Sequence, residues 1–553
     1  MLAHASRRHG DRETRGLGKL YRHLVAASLR PRVAVILRLC VSAVIVGLSI
    51  SCSSKPTDPK AVLPSDALVY LESNDLGAAV RAVTENPKFQ QVAAGTPDFS
   101  VLDGVRIGIA VTGFETSEQA LTEENSVLNF QPRFVAVIET NAWGWQTSKF
   151  VENALGEFVN EAYDGAIELE ITTRTDGEFY VWTSQEGRKA YALQQGSLVF
   201  FGNDESAIER CQAVKRGEAE SIANNAKVAD GGERLAFGYV STDGVGQIAN
   251  IAGISLAMRA SEEAEVKSFV ARVLPEILRN SLKDLTWSAV KTESGIEDKF
   301  VAGLDEESAR VFDETLVPES PGSPDLSGFV PRSAATTTRY MLRDPQVAWR
   351  SVVLTAQKKT DDASGALIGA FAGSVFEQFG IEEPELFFSA VASPLVTVRL
   401  GQEVEDAAIA RIRDVAKLKA SIAKEIGISR PAESQFGAEL WKSEDGELAA
   451  AISGGVVVVG DAATVLKCLE ATQVGNPDLS RQLATSDAVA TTVARDSAAL
   501  AALVQVLAEP KNGAPPTELG WVTETRFNKN GIERRTVSDF GFIGWLIERL
   551  AHE

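Results

Sequence analysis

Short apolar runs alternate with stretches of helical period along most of this chain. Arg133–Glu139 has the pattern of a strand, and about Gln146–Val159 has that of a helix. Ile167–Thr173 and Glu178–Thr183 flank a turn and have the pattern of a β-hairpin. Strands of this length, joined by hairpins and followed by helices, predict an α+β fold with antiparallel sheets and helices packed on one face.

The pattern occurs twice. The segment ALQQGSLVFFG at 192–202 is matched by AAISGGVVVVG at 450–460. Each has the pattern of a hairpin and is followed by a helical pattern that contains one cysteine. Near the end of each half, a hairpin pattern begins close to Trp287 or Trp521. We therefore predict two homologous halves, 64–317 and 328–553, joined by a Pro/Gly/Ser linker at 318–327.

A shorter element, an extended run followed by an aspartate and a helical pattern, occurs four times. Its aspartates are Asp75, Asp243, Asp344 and Asp496. An aspartate side chain accepts hydrogen bonds from the free N–H groups at the start of a helix, so each is predicted to be an N-cap. In the second half the pattern also predicts a strand at Leu395–Leu400 and a long helix from about Glu405 to Lys424.

The N-terminal region has the features of an export signal. Residues 1–38 contain nine basic and two acidic residues, and an uncharged apolar run of twelve residues follows at Leu39–Ile50. Cys52 comes directly after this run, an arrangement that resembles a bacterial lipoprotein signal in which that cysteine is lipidated. We predict a signal at 1–52 and a polar tether at 53–63. An uncleaved N-terminal anchor is the alternative.

Charge and rare residues exclude several functions. The formal net charge is −20, and removing the +7 of residues 1–38 leaves −27, which is unsuited to nucleic acid. No histidine lies between His23 and His552, so a Ser-His-Asp triad and a His-based zinc site are not expected. No metal or cofactor is predicted.

The two cysteines after the signal, Cys211 and Cys468, are predicted to pack in the core; a bond between the halves and a reactive thiol are the alternatives. The motif Gly244-x-Gly246-x-x-Ala249 resembles a dinucleotide fingerprint, but its counterpart at 496–502 lacks glycine. Nucleotide binding is therefore not predicted.

Two aromatic residues stand out at a strand-to-helix turn. Trp143 and Trp145 flank Gly144, and neighbouring exposed aromatic side chains can form an interaction surface. Packing at the start of the helix is the alternative. The apolar run Phe540–Leu550 predicts a terminal helix docked on the body, with membrane contact as its alternative.

The region after the tether begins Leu63-Pro64-Ser65-Asp66, continues into a strand that contains Tyr70, and reaches Asp75. This arrangement resembles a family of bacterial extracytoplasmic lipoproteins with tandem α+β repeats. The resemblance implies an extracytoplasmic protein of unknown activity, and it implies no site residues.

Taken together, these patterns favour an exported, membrane-tethered envelope protein that acts by binding or structural interaction rather than by catalysis. Its expected partners are the membrane, through a lipid or anchor, and an envelope protein or small ligand. Two alternatives stay open. One is a ligand-binding module that uses a cleft between the halves. The other is a carboxylate-dependent hydrolase, which requires paired acidic residues with raised pKa values in one pocket.

Overall fold

Antiparallel strand pairing organises the chain and helices pack against the sheet, which confirms the α+β class. The fold is known from a computed structural model, which describes residues 56–95, 98–120, 126–163, 165–229, 232–259, 264–319, 325–401, 405–431, 433–483, 487–496, 499–511, 513 and 517–551. The predicted signal with Cys52, half of the linker (320–324) and His552 lie outside these residues.

The elements up to residue 315 are, in chain order, β1 (Val69–Ser73), α1 (Leu76–Thr84), α2 (Pro87–Val92), β2 (Ala93–Gly95), β3 (Arg106–Ala120), β4 (Ser126–Glu139), α3 (Gly144–Lys149), α4 (Gly156–Ala162), β5 (Ile167–Arg174), β6 (Gly177–Ser184), β7 (Lys189–Gln195), β8 (Leu198–Gly202), α5 (Glu205–Lys215), α6 (Ala226–Ala229), β9 (Ala236–Val240), α7 (Thr242–Arg259), α8 (Ala264–Ser281), β10 (Leu282–Thr292), β11 (Gly295–Leu304) and α9 (Glu306–Thr315). A π-helical turn, Phe150–Leu155, joins α3 to α4.

The elements that follow are β12 (Thr336–Tyr340), α10 (Pro345–Lys358), α11 (Asp362–Phe371), α12 (Pro384–Ala390), β13 (Val391–Arg399), β14 (Asp406–Ile412), α13 (Val415–Glu425), β15 (Glu433–Gln435), β16 (Ala438–Lys442), β17 (Leu448–Ser453), β18 (Val456–Asp461), α14 (Ala462–Ala471), α15 (Pro477–Leu483), β19 (Ala490–Asp496), α16 (Ala499–Leu507), β20 (Glu509–Pro510), β21 (Leu519–Asn528), β22 (Gly531–Ser538) and α17 (Gly541–Ala551).

The strands of the two halves pair in the same order. In the first half the order is β5-β6-β7-β8-β4-β3-β1-β9-β10-β11. In the second it is β15-β16-β17-β18-β14-β13-β12-β19-β21-β22. Duplication would produce this common order; homology of the halves stays a prediction.

β11 and β22 pair with each other, so one antiparallel sheet runs from the first half into the second. Lys299 lies opposite Arg535 in this pairing, and Gly303 lies opposite Gly531. Gly295 and Gly531 each open their strand, and Lys299 and Arg535 each follow four residues later. The register is therefore symmetric about the Lys299–Arg535 pair, as an approximate two-fold axis at this point requires.

Helices cover both faces of the sheet, so the prediction of helices on one face is wrong. In β8, Phe200 packs in one core cluster with Ile208 and Cys211 of α5. Phe201 points to the other face, where its ring centroid lies 5.4 Å from that of Phe158 in α4. Every residue of β8 is buried, and a strand that is apolar on both sides needs cover on both.

One cluster of buried side chains joins the two halves. Residues of α16 and α17, among them Leu503 and Ile543, pack in this cluster with Val80 of α1 and Ile107 of β3. The predicted docking of the C-terminal helix is confirmed. The core of the first half is therefore completed by residues 499–551.

The capping predictions have different outcomes. Asp75 and Asp344 are N-caps: the Asp75 side chain accepts from the Ala78 N–H, and Asp344 accepts from the N–H groups of Gln346 and Val347. Asp243 is not a cap, because α7 begins one residue before it and the Ser241 hydroxyl accepts from the Gly244 N–H at 3.2 Å. Asp496 is the last residue of β19, and α16 begins at Ala499.

The predicted helix from Glu405 to Lys424 is wrong in its first part. Asp406–Ile412 forms β14, which pairs with β13 and β18, and Asp414 then caps α13. The segment is rich in alanine and arginine, which favour helix, but Asp406–Ala410 is buried between two strands. Tertiary burial overrides the local preference here.

The tether is shorter than predicted. Val62 and Leu63 are buried, the Ile222 N–H donates to the Leu63 carbonyl at 2.9 Å, and the Thr57 N–H donates to Glu139 Oε2 at 3.1 Å. Residues 57–63 thus belong to the folded body. Only 53–56 are left for a tether.

Both cysteines of the folded body are fully buried and free, which agrees with core packing and excludes a bond between the halves. Cys211 lies on α5 and Cys468 on α14, at corresponding places of the two halves. Burial raises the pKa of each thiol to about 12, so neither is a ready nucleophile.

Candidate functional site

A groove lies on the face of the sheet at β9, β10 and β11, close to the junction of the halves. Its volume is about 640 Å³. Phe237, Ser288 and Lys299 are successive cross-strand partners and so share this face. On the opposite face, Trp287 and Ile296 pack under α17. The groove therefore uses the side of the central sheet that α17 does not cover.

Cations outnumber acids around the groove. Its cationic side chains are Lys227, Arg234, Lys283, Lys299 and Lys529, and its acidic side chains are Asp284 and Glu306. Formal charges act mainly within about 8 Å at physiological ionic strength, so this local excess matters more to a bound ligand than the net charge of −20. The groove is a cationic site on an acidic protein.

Three of these cations have acidic partners, and two do not. Lys227 pairs with Asp284, Arg234 pairs with Glu72, and Lys299 Nζ lies 3.0 Å from the Glu533 carboxylate. Lys283 and Lys529 are exposed. Neither has an acidic partner within the described part of the chain. Their ammonium groups supply positive charge that no ion pair among the described residues neutralises.

Arg234 is the buried cation of the groove. Its side chain is only 9% exposed, its guanidinium carbon lies 3.8 Å from the centre of the Phe237 ring, and it pairs with the buried Glu72. Its Nε has no hydrogen-bond acceptor among the described residues. A buried donor without an acceptor is costly.

A hydrogen-bond network holds the side chain of Arg234 in place. The Tyr70 hydroxyl donates to Glu72 Oε2 at 2.6 Å, in the same carboxylate that pairs with Arg234. Burial, together with the neighbouring Glu72, raises the pKa of the Tyr70 phenol above its usual range. Tyr70 therefore stays a neutral donor, and the carboxylate holds the guanidinium in one orientation.

The charges beyond the groove neutralise one another. Lys299 and Arg535 lie directly opposite, which is unfavourable for like charges, but Arg535 pairs with Glu297 and Lys299 with Glu533. Further along, Arg526 contacts the carboxylates of Glu524 and Asp487 at 2.7 and 2.8 Å. These neighbouring cations are therefore neutralised, unlike Lys283 and Lys529.

Trp143 and Trp145 do not line this groove. They lie at the start of α3 with 43% and 55% of their surface exposed, so each side chain is partly covered by the protein and partly open to solvent. Lys149 Nζ lies 5.3 Å from the centre of the Trp145 ring. A role in interaction stays a prediction.

The carboxyl groups with raised pKa values, Asp298, Glu377 and Glu425, lie outside the groove. Burial raises the pKa of Asp298 to about 6 under α17, and that of Glu425 to about 7 at the end of α13. Neither lines the groove. Within the described ranges there is also no cluster of side chains that could hold a metal ion.

The first glycine of the motif that resembles a dinucleotide fingerprint is explained by packing, because a Cβ on Gly244 would lie 2.0 Å from the Leu68 carbonyl oxygen.

Known proteins give no further guidance. No family model matches the chain, no curated protein matches its sequence, and no solved structure matches its fold. The resemblance to envelope lipoproteins therefore stays a prediction. Among the helices of the described residues, none has the length and apolar character needed to cross a membrane.

Proposed function

We propose that this protein is an exported, membrane-tethered envelope protein that binds an anionic ligand in the cationic groove. The observation that carries the proposal is the excess of cations there, with Lys283 and Lys529 exposed and unpaired among the described residues. Export and tethering are supported by the basic N-terminal region, the apolar run and Cys52.

The size and composition of the groove define the ligand class. A volume of about 640 Å³ suits a small molecule or a short acidic segment of a partner. Lysines suit carboxylate or phosphate oxygens as point charges, and a guanidinium adds directional hydrogen bonds. Phe237 and Val301 supply apolar surface beside them. The ligand class is therefore an anion with some apolar character.

Removing the two unneutralised lysines is expected to weaken anion binding. In the Lys283→Ala/Lys529→Ala variant, affinity for hexaglutamate peptide or inorganic pyrophosphate should fall about tenfold or more, as each exposed charge pair contributes on the order of 1 kcal/mol. Titration calorimetry at two salt concentrations measures this effect. The matched control is Lys467→Ala, an exposed lysine of α14 outside the groove. If neither anion binds the wild type, or if the double variant binds as well, the groove proposal fails.

The tether is tested by fractionation. Cys52→Ala is expected to move the protein from the membrane fraction to the soluble fraction, since the cysteine carries the lipid. Cys40→Ala, a change within the apolar run, should leave it in the membrane fraction. Retention of Cys52→Ala in the membrane would favour an uncleaved anchor instead. Recovery of the wild type in the soluble fraction would remove the tether altogether.

The alternative of a ligand-binding cleft between the halves agrees with the proposed binding function. The groove lies close to the junction of the halves and includes Lys529 from the second half. It is cationic rather than purely apolar. The hydrolase alternative requires paired carboxyl groups with raised pKa values in one pocket, and none of Asp298, Glu377 and Glu425 lines the groove. We therefore favour binding over hydrolysis.

A further inference from the structure

The folded body begins beside the exposed tryptophans. The Thr57 N–H donates to Glu139 Oε2 at 3.1 Å, and Glu139 Oε1 accepts from the Asn141 N–H, also at 3.1 Å. Glu139 is the last residue of β4, and its side chain is buried. One carboxylate thus ties the start of the body to the turn that leads to Trp143.

The length of the tether sets how far the body can lie from the lipid. Cys52 and Thr57 are five residues apart, which is at most about 18 Å of extended chain. Trp143 follows Glu139 by four residues, at most about 14 Å. If Cys52 carries the lipid, the membrane surface is within reach of the tryptophan turn.

The turn is held in place by hydrogen bonds, so Trp143 and Trp145 are attached to an ordered segment of backbone. Gln146 Oε1 accepts from the Trp143 N–H at 3.0 Å. Gln194 Nε2 donates to the Gly144 carbonyl at 2.7 Å. The Asn141 side chain donates to the Gly104 carbonyl. Because the turn is already ordered, less conformational entropy is lost when its surface binds a partner.

The chemistry of the turn matches a membrane interface. Tryptophan concentrates at the headgroup level of bilayers, because its ring is apolar and its indole N–H is polar. Among the described residues, Trp143 and Trp145 are the most exposed tryptophans. Lys149, beside the Trp145 ring, adds a cation that suits lipid phosphate.

We propose that the turn at Trp143–Trp145 inserts into the lipid interface to which Cys52 is anchored, and so fixes the orientation of the body on the membrane. The occupant of this surface is phospholipid. The inference rests on the lipid tether of the proposed function. Tethering raises the local concentration of the surface, so a contact too weak to bind alone becomes populated.

Quenching of tryptophan fluorescence tests the insertion. The full-length lipidated chain is reconstituted in phosphatidylcholine vesicles with brominated acyl chains and compared with unbrominated vesicles. Two of the eight tryptophans are in the turn, so about a quarter of the emission is expected to be quenched. The Trp143→Phe/Trp145→Phe variant should lose this quenching. Trp349→Phe, on α10 of the second half, should keep it.

The outcomes separate this inference from the proposed function. Wild-type protein that floats with the vesicles but shows no quenching overturns the insertion and leaves the tether intact. Quenching that persists in the double variant also overturns it. Wild-type protein that does not float rejects the tether and the insertion together. Flotation of wild type but not of Cys52→Ala, with quenching confined to the pair, supports both.

Discussion

Replacing Gly531 with alanine is expected to lower the free energy of unfolding by about 3 kcal/mol. Gly531 opens β22 with a φ of 134°, in a region that residues with a side chain rarely adopt. A Cβ at this position would lie 2.0 Å from the Ala302 carbonyl oxygen of β11. The change therefore strains the strand pair that joins the two halves. Urea denaturation followed by circular dichroism measures the loss.

Gly454→Ala is the matched control. Gly454 also has a positive φ, 56°, but nothing lies within 4 Å of the position that a Cβ would take. Only the backbone penalty applies there, about 1 kcal/mol. The difference between the variants isolates the close approach of β11 and β22. Equal losses in the two variants would show that this approach contributes nothing to stability.

Replacing Asp298 with alanine is expected to cost about 3 kcal/mol at pH 5. Asp298 is 2% exposed, and its carboxyl group accepts from Trp287 Nε1 at 2.8 Å and from the Phe542 N–H at 2.7 Å. Alanine leaves both donors buried without an acceptor, and the first turn of α17 loses its partner. The free energy of unfolding, from guanidinium denaturation, measures the effect. A loss below 1 kcal/mol would contradict this account of how α17 is held.

The same carboxyl group should make stability depend on pH. Burial, stronger than the opposing hydrogen bonds from Trp287 and Phe542, raises the pKa of Asp298 to about 6. In the unfolded chain it is near 3.9. Between these pH values the folded protein binds the proton more tightly than the unfolded chain does. The contribution of Asp298 to the free energy of unfolding is therefore full below about pH 4 and is lost as the pH rises through about 6.

Asp298→Asn removes this titration. The stability of the wild type minus that of Asp298→Asn is expected to fall by about 3 kcal/mol between pH 4 and pH 7, since two pKa units correspond to that energy. Taking the difference cancels the other titrating groups. A difference that stays constant over this range, or rises with pH, would contradict the raised pKa of Asp298.

Local signals in the sequence predict much of the fold. Gly196 and Gly454 lie in tight turns between apolar strands, and the hairpins predicted around them are present as β7–β8 and β17–β18. β14 was not predicted, because its strand character comes from pairing with β13 and β18 rather than from its residues. The unbroken apolar runs of β8 and β18 do indicate strands that are buried on both faces, although the helices that cover each face are set by tertiary packing.

The groove could not be predicted from spacing. Lys283 and Lys529 are far apart in the chain, and they line one groove because β11 pairs with β22, which puts Gly303 opposite Gly531 and the turn at Lys529 nearby. No local pattern specifies which strand edge meets which. By contrast, Trp143 and Trp145 were found from the sequence, since two aromatic residues around a glycine at a strand-to-helix turn are a local signal.

The shared core has a consequence for the timing of folding during synthesis. Val80 and Ile107 of the first half pack with Leu503 and Ile543, so the first half exposes apolar surface until residues 499–551 have left the ribosome. Contacts between such distant parts of a chain form late and slowly. For a protein that is exported as we propose, this delay helps to keep the chain unfolded until translocation. In an exported protein, both halves would then complete their folding together, outside the cytoplasm.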